Sequence, residues 1–547
     1  MKDILKKFRK LKKENVKSAI GNSLNIALLI IAVLLIGYYT LFPSRGSFHS
    51  DSTDTLMWAE ASYESKSLFN PDFYYAGLLP FGTSLIMLAF IPLTGVTMTT
   101  HVIGMFCFFL LFTGAFIFML KQMHWNWSWI SIAVFSLLML CSGSEKLREI
   151  FWGHTIYYSL GVLFIFVGLG LVFRLMNLSK IPEQNQKTRL HSGINILLIF
   201  IWFVLTCSDQ IIAITIFALP VIASIFCERW LDRTTEITSA KNKNALLVIL
   251  VMILGMCSGY MLTNLLAGNI TALYEESYSE YSAMDTWASN LQEFPTAWFS
   301  LLGAEIEEDL PLMSVESIQA LLIIITGILL LILPILALVY YAKIQDAKLK
   351  ILILTYWFMT ALIMMGYIMG RLSVANWRLS PIVAMSVVVS IAFFRWAVSQ
   401  ISLQRIISLC MMPICIVCAI HAYTIMSMPM NNTSENILYE LAEQLEDLDL
   451  TYGYASFWQA NGLTIVSDSK IKCRDIWIDE TGCTIRGYQN NLAWYAAQPE
   501  QENYFLLLTK SEAITLENSN YYILSKPHEK INLKSGYIIW IFSENIF

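Results

Sequence analysis

The chain has 547 residues, of which 56% are hydrophobic and only 14% charged, well below the roughly 25% charge of a soluble globular protein. That balance excludes a soluble enzyme, and the many apolar runs of bilayer-crossing length make the excess lipid-facing surface rather than one large core. The net charge of -5 with no basic face outside short loops argues against nucleic acid as a partner.

The amino end, residues 1–18, carries eight Lys/Arg and two acids before the first apolar run, Ala19 to Phe42. That run is too long for a cleaved signal and lacks a small-residue cleavage site, so a retained helix with a cytoplasmic basic end is expected. Further apolar runs follow at about 98–120, 127–142, 153–175, 192–208, 210–227, 244–266, 318–342, 351–370, 379–399 and 404–428. The run 78–98 is interrupted by Pro80, Gly82, Pro92 and Gly95. Charge decides its treatment. If it does not cross, cytoplasmic loops hold 22 Lys/Arg and outer loops of the membrane region hold six; if it crosses, 14 of the 22 move outside, against the positive-inside tendency. The segment is therefore expected to be re-entrant or interfacial, although 127–142 could be the non-crossing run instead. Eleven spans place the carboxyl end outside.

The expected fold is thus an α-helical polytopic membrane protein with a small α/β domain at the carboxyl end. The membrane domain is 19–429, with a first outer loop at 43–97 and a second at 267–317 that has ten acids and no Lys or Arg. Residues 430–547 form the extracytoplasmic domain of a multi-pass plasma-membrane protein. Its first helix is expected at Ser434 to Leu448, capped by Ser434, with Leu438, Leu441, Leu445 and Leu448 on one face. Strands are expected at YGYASF, LTIVSD, IKCRDIWID, NYFLLLT, YYILS and GYIIWIF. Eight cysteines lie in apolar runs; Cys473 and Cys483 lie in polar sequence and could pair in an oxidising compartment or remain thiols.

Candidate chemistry concentrates after the first span, in FHSDSTDTLMWAEASYESKSLFNPDFYYAGLLPFG. Asp51 and Asp54 lie near the membrane exit, and the stretch Asp54 to Phe69 is expected to lie on the membrane as a helix with Leu56, Met57, Ala61 and Leu68 on one side. A carboxylate at the water–lipid boundary can deprotonate a hydroxyl or amine beside a lipid-borne group; the alternative is acids that are only solvated. His49 is a substrate-binding candidate in the same segment. SGSEKLREIFWGHTIYYSLG adds Arg148, Glu149 and His154, with Glu145 able to pair with Arg148 or share a face with Glu149. MGRLSVANWRLSPIVAM adds Arg371 and Arg378, whose planar forks suit phosphate oxygens.

This order resembles the GT-C superfamily of membrane glycosyltransferases, which includes protein O-mannosyltransferases, lipid A aminoarabinose transferases and oligosaccharyltransferase catalytic subunits. The resemblance implies that an Asp soon after the first span, here Asp51 and then Asp54, is catalytic, and that the donor is a sugar on a polyprenyl phosphate. The family's Asp-Glu pair is absent, since Ser52 follows Asp51. Glu145, Arg148, Glu149 and His154 match a loop set against the donor in that family. Arg378-Leu379-Ser380-Pro381 resembles its Arg-Tyr-x-x-Pro pattern without the aromatic residue. The Lys that aminoarabinose transferases place before a Pro is replaced by Leu79 before Pro80, which leaves phosphate binding to Arg378, Arg371 and Arg148. No nucleotide loop, HExxH or CxxC pair is present, so no cofactor is required, while acids of the first two outer loops could hold a divalent cation. The acceptor is a glycan, lipid or protein. The competing classes are a secondary transporter or flippase, for which Asp209 is the one ionisable residue between apolar runs, and a non-catalytic anchor presenting the carboxyl-terminal domain.

Overall fold

A computed structural model describes residues 26–179, 186–231, 240–268, 270, 280–304, 311–371, 375–400, 404–498, 501–519 and 526–547. Most of the amino-terminal basic segment, the strand expected at YYILS and six acids of the second outer loop (Glu275, Glu276, Glu305, Glu307, Glu308 and Asp309) lie outside those residues. Ten described helices are long and apolar enough to cross a membrane, which makes this a multi-pass membrane protein. They are α1 (Ile26–Arg45), α4 (Met98–Gln122), α7 (Tyr157–Leu178), α8 (Gln186–Cys207), α9 (Gln210–Leu231), α10 (Ala245–Leu266), α12 (Val315–Val339), α13 (Ala347–Met369), α14 (Asn376–Val398) and α15 (Ser408–Ser427). The shorter helices between them are α2 (Asp54–Ser65), α3 (Ser84–Thr94), α5 (Trp127–Leu140), α6 (Glu145–Arg148) and α11 (Phe294–Leu301).

The interrupted run at 78–98 forms only α3, an 11-residue helix that at about 16 Å is half the bilayer core. It ends where Gly95 takes a φ of 72°, which only glycine adopts without strain. The 14 residues of α5 reach about 21 Å. Asn126 caps α5 by accepting from the Trp129 N–H at 3.0 Å, and Trp129 packs on Phe394 near the end of α14. At the other end of α5, Met139 O meets the His421 ring of α15. The chain then turns by 117° into Glu145–Gly153, which lies across the bundle end rather than extending the span.

One end of the bundle carries a ring of cations on aromatic faces. Lys121 lies 3.7 Å from the Trp127 ring, Arg395 5.0 Å from Trp125, Lys343 4.9 Å from Tyr340 and Lys350 5.1 Å from Tyr341. Aromatic belts with snorkelling bases mark a membrane interface. The opposite end carries the first loop and the carboxyl-terminal domain.

That domain is a six-stranded sheet in the order β4-β3-β2-β6-β8-β7, from β2 (Tyr452–Ser456), β3 (Lys472–Asp479), β4 (Gly482–Ile485), β6 (Tyr504–Leu508), β7 (Glu529–Asn532) and β8 (Ile538–Phe542). The central strand β2 is parallel to both neighbours, β3 and β6, and the outer pairs are antiparallel. Three helices cover it: α16 (Ile437–Asp447), α17 (Ala460–Val466) and α18 (Lys510–Glu517). Asn436, not Ser434, caps α16 by accepting from the Leu438 N–H, and Leu438, Leu441 and Leu445 form its buried face while Leu448 is exposed. LTIVSD is not a strand. Its first four residues complete α17, every residue of which is buried, so packing overrides the β preference of Thr464, Ile465 and Val466. Cys473 and Cys483 are both free, buried thiols.

The helix α2 has a partner that local sequence does not signal: the carboxyl-terminal domain roofs it, and Leu56, Met57 and Ala61 are buried. Phe73–Tyr74 (β1) pairs antiparallel with Asn490–Asn491 (β5), and the Gln489 and Leu492 N–H groups donate to Tyr74 O and Asp72 O at 2.8 and 3.1 Å. Trp58 of α2 donates to Gln489 Oε1 at 2.5 Å. Glu64 accepts from Trp494 Nε1 and Asn491 Nδ2, each at 3.2 Å. Glu60 faces Arg474 at 3.9 Å, whose guanidinium stacks 3.8 Å from the Trp494 ring.

Candidate active site

Asp51 lies within a single turn, Ser50–Thr53, that leads from the end of α1 into α2, and Asp54 directly follows it. The Thr53 hydroxyl closes that turn by donating to Ser50 O at 2.7 Å. The two carboxylates therefore point into different surroundings. Asp51 is partly open to solvent and lies 3.9 Å from His49 Nδ1. Asp54, the first residue of α2, is buried and lies 3.3 Å from His154 Nε2.

The second contribution comes from the segment after α5. Ser144 accepts from the Leu147 N–H and donates to Leu301 O of α11 at 2.7 Å, fixing the start of α6 against that helix. The turn continues as a π-helix, Glu149–Gly153, a form frequent at functional sites. It aims Glu149 at His49 Nε2, 3.4 Å away, and at Lys146 Nζ, 2.5 Å away. The expected pairing of Glu145 with Arg148 or its alignment with Glu149 gives way to this Lys146–Glu149 pair at a spacing of three. Arg148 points the other way: Nη1 donates to Ser142 O at 3.1 Å and the guanidinium faces the Tyr39 ring of α1 at 5.7 Å. Its Nε is buried with no hydrogen-bond partner among the described residues.

The electrostatics divide the site in two. Burial pushes the Asp54 carboxyl above its ordinary range, more than the His154 contact lowers it. For His154 burial acts downward, but the hydrogen bond and charge of Asp54, with Asp51 and Glu149 beyond, raise the imidazole above 6.5. Glu149 behaves oppositely: burial acts upward, yet His49 and Lys146 hold its carboxyl down at about 2. His154 thus sits on a buried carboxyl group that favours its protonated form, and an anionic Glu149 sits between His49 and Lys146.

Arg371 does not join this set through any described contact. It forms an exposed ion pair with Glu280 at 2.7 Å, a partner 91 positions earlier that no local pattern signals. Arg378 is half-buried beside Gly370. Its neighbour Trp377 connects to the set, because Lys146 Nζ lies 5.2 Å from the Trp377 ring. Sequence reasoning passed over Lys146, whose spacing from Glu149 was the available signal, and Tyr488, which stands in the carboxyl-terminal domain. Burial raises the Tyr488 hydroxyl strongly, and the charges of Asp54 and Asp51 raise it further, so this hydroxyl stands within electrostatic reach of both carboxyl groups.

No protein-family model and no characterised protein sequence matches the chain. Solved structures do resemble it in arrangement. The apo oligosaccharyltransferase of Archaeoglobus fulgidus aligns over 82% of this chain with a TM-score of 0.49 and 11% identity. The chain spans 64% of that protein's length. ArnT from Cupriavidus metallidurans aligns over 94% of this chain and 97% of its own, with TM-scores of 0.41 in the apo state at 11% identity and 0.38 with bound undecaprenyl phosphate at 12% identity. The likeness to these two proteins is one of arrangement alone.

His49, Asp51 and Glu149 each turn one ligand atom toward the others, all within 4.8 Å. His49 Nδ1 is buried and has no hydrogen-bond partner among the described residues, and one imidazole with two carboxylates is a donor set for a hard or borderline divalent ion. The residues fit such an ion, with Lys146 as a competing cation on Glu149.

Proposed function

We propose that the protein is an integral-membrane glycosyltransferase that moves a sugar from a polyprenyl-phosphate carrier to an acceptor at the bundle end bearing the carboxyl-terminal domain. In this reading that end is extracytoplasmic and the basic end cytoplasmic. The observation that carries it is the meeting, at the mouth of α1, of an accessible carboxylate, Asp51, with His49, Glu149 and Lys146 in one chain of contacts and with the Asp54–His154 pair one turn further on. Glycosyl transfer needs a base beside the acceptor and positive charge beside the departing phosphate.

The acceptor oxygen attacks the anomeric carbon and its proton passes to Asp51, which also orients it. The bond from that carbon to the phosphate oxygen breaks, and the polyprenyl phosphate leaves with the electron pair. Lys146, now on Glu149, and the His154 imidazolium hold the charge that builds on the phosphate. Asp54 keeps His154 protonated and oriented, a positioning role. Arg378, the residue after Trp377, whose ring lies beside Lys146, would meet a second phosphate oxygen. A divalent ion held by His49, Asp51 and Glu149 would supply further neutralisation of phosphate charge.

The test is transfer of a labelled sugar from undecaprenyl phosphate by purified protein, with Asp51→Asn compared with wild type. A fall in rate of at least about 100-fold is expected for loss of a general base. Undiminished transfer would remove Asp51 from the role.

A further inference from the structure

The carboxyl-terminal domain has four tryptophans. Trp494 and Trp540 are buried, whereas Trp458 is 60% and Trp477 53% exposed. The two exposed indoles belong to one patch. Arg486 lies at its centre, 4.6 Å from the Phe457 ring, 5.0 Å from Tyr488 and 5.7 Å from Trp477. Phe457 in turn packs edge-on against both Trp458 and Tyr488, with ring centres 5.2 and 5.3 Å away. Large aromatic rings left in water on a small domain need an explanation, since burying them is worth several kcal/mol.

Two independent features place this patch at a binding position. Phe457 and Trp458 directly follow β2, the strand with parallel neighbours on both sides. The chain leaves β2 toward β3 on one side and leaves β6 toward β8 on the other, so the carboxyl ends of β2 and β6 border a topological switch point, where open α/β sheets bind ligands. The patch is also continuous with the transfer site. The helix α17 packs on the Ser50–Thr53 turn that carries Asp51, Gly487 packs on the Tyr74 ring, and Gln489 is bonded to Trp58 of α2.

We infer that the Trp458–Arg486–Trp477 patch is a carbohydrate-binding subsite that holds a glycan acceptor, with its reacting hydroxyl directed past Tyr488 toward Asp51. This rests on the glycosyl-transfer reading and names the acceptor class. A pyranose ring offers apolar C–H faces that lie flat on aromatic rings and a rim of hydroxyls that take hydrogen bonds from planar donors. Indoles around a guanidinium offer both kinds of contact. The neighbouring Ser456–Gln459–Tyr537 chain of hydrogen bonds, at 3.1 and 3.0 Å, adds neutral polar groups at the same edge.

Full-length protein in detergent is titrated with the tetrasaccharides of cellulose, amylose, chitin and mannan, and binding is read by saturation-transfer NMR on the sugar ring protons. At least one is expected to bind through its C–H faces. Trp458→Ala and Trp477→Ala should each weaken that binding at least about tenfold, as loss of a central aromatic contact does, while Trp458→Tyr keeps most of it. No saturation of any sugar overturns the inference, as does a signal unchanged in both alanine variants. A signal from a Ser/Thr-rich peptide with none from the sugars overturns the glycan assignment. Donor turnover in wild-type protein is measured separately. Sugar binding without turnover sinks the transfer reading and leaves the subsite; turnover without sugar binding does the reverse.

Discussion

The seam between α2 and the carboxyl-terminal domain rests on a buried ion pair whose removal has a calculable cost. Glu60 is buried 3.9 Å from Arg474, and its Oε2 has no hydrogen-bond partner among the described residues. Burial raises its carboxyl, and Arg474 opposes the rise. In Arg474→Met the lost attraction is capped, because Glu60 can take up a proton instead. For a carboxyl of ordinary pKa 4.5 that uptake costs about 3.4 kcal/mol at pH 7 and about 1.4 kcal/mol at pH 5.5. Loss of the guanidinium from the Trp494 face adds about 1 kcal/mol. The total of about 4.4 kcal/mol at pH 7 matches the usual cost of stripping one partner from a buried pair. The variant's folded state carries a Glu60 pKa raised above its unfolded value, so it binds more protons and gains stability as pH falls. The penalty therefore shrinks by about 2 kcal/mol between pH 7 and 5.5. Hydrogen exchange at the Gln489 and Leu492 amides reads it directly, since both donate across the seam. Corrected for intrinsic rates, their protection should drop on the order of 1,000-fold at pH 7 and on the order of 50-fold at pH 5.5, and Glu60→Gln in the same chain should recover most of it. Equal losses at the two pH values, or none, would refute the reasoning.

Asp54→Asn should move the alkaline limb of the kcat/KM profile to lower pH, because burial then pulls His154 down without the opposing carboxylate; an unmoved limb removes Asp54 from that role. A chelator should slow transfer, Mg²⁺ or Mn²⁺ should restore it, and Glu149→Gln should raise the half-saturating metal concentration at least about tenfold; rates indifferent to chelator would dismiss the His49–Asp51–Glu149 ion. Gly303→Ala should lower the thermal midpoint by the equivalent of about 2 kcal/mol or more, since Gly303 has φ +90° and a Cβ would meet Gly143 O at 2.7 Å; an unchanged midpoint would show that the Gly143–Leu302 approach is slack.

The spans were legible because each is a run of apolar residues with polar ends, and charge bias alone kept 78–98 from being read as another. Strands β2, β3, β6 and β8 announced themselves by apolar and β-branched runs. Thr464–Ile465–Val466 carried the same signal and became helix, because a segment buried on all sides has no periodicity to separate the two forms. At the site, Glu149 and His154 lie five positions apart beside one bundle end, which is visible locally. The pairing of Tyr74 with Asn490, the Glu280–Arg371 bridge and the approach of Tyr488 join residues remote in the chain, and no local spacing encodes them.

The roofing of α2 bears on why the chemistry sits where it does. Asp54 begins α2, and a helix amino terminus favours a carboxylate, while burial opposes its charge. The balance depends on how α2 is held. No spanning helix continues into it; its grip comes from α3 below and from Gln489, Asn491 and Trp494 above, which hold Trp58 and Glu64 one to three turns beyond Asp54. The domain that bears the aromatic patch therefore also sets the orientation of the helix that begins with the buried carboxylate. Scarcity of charge completes the picture: Lys146 pairs with Glu149, which faces His49 beside Asp51, so a chain with little charge brings one of its few bases to the neighbourhood of its accessible acid.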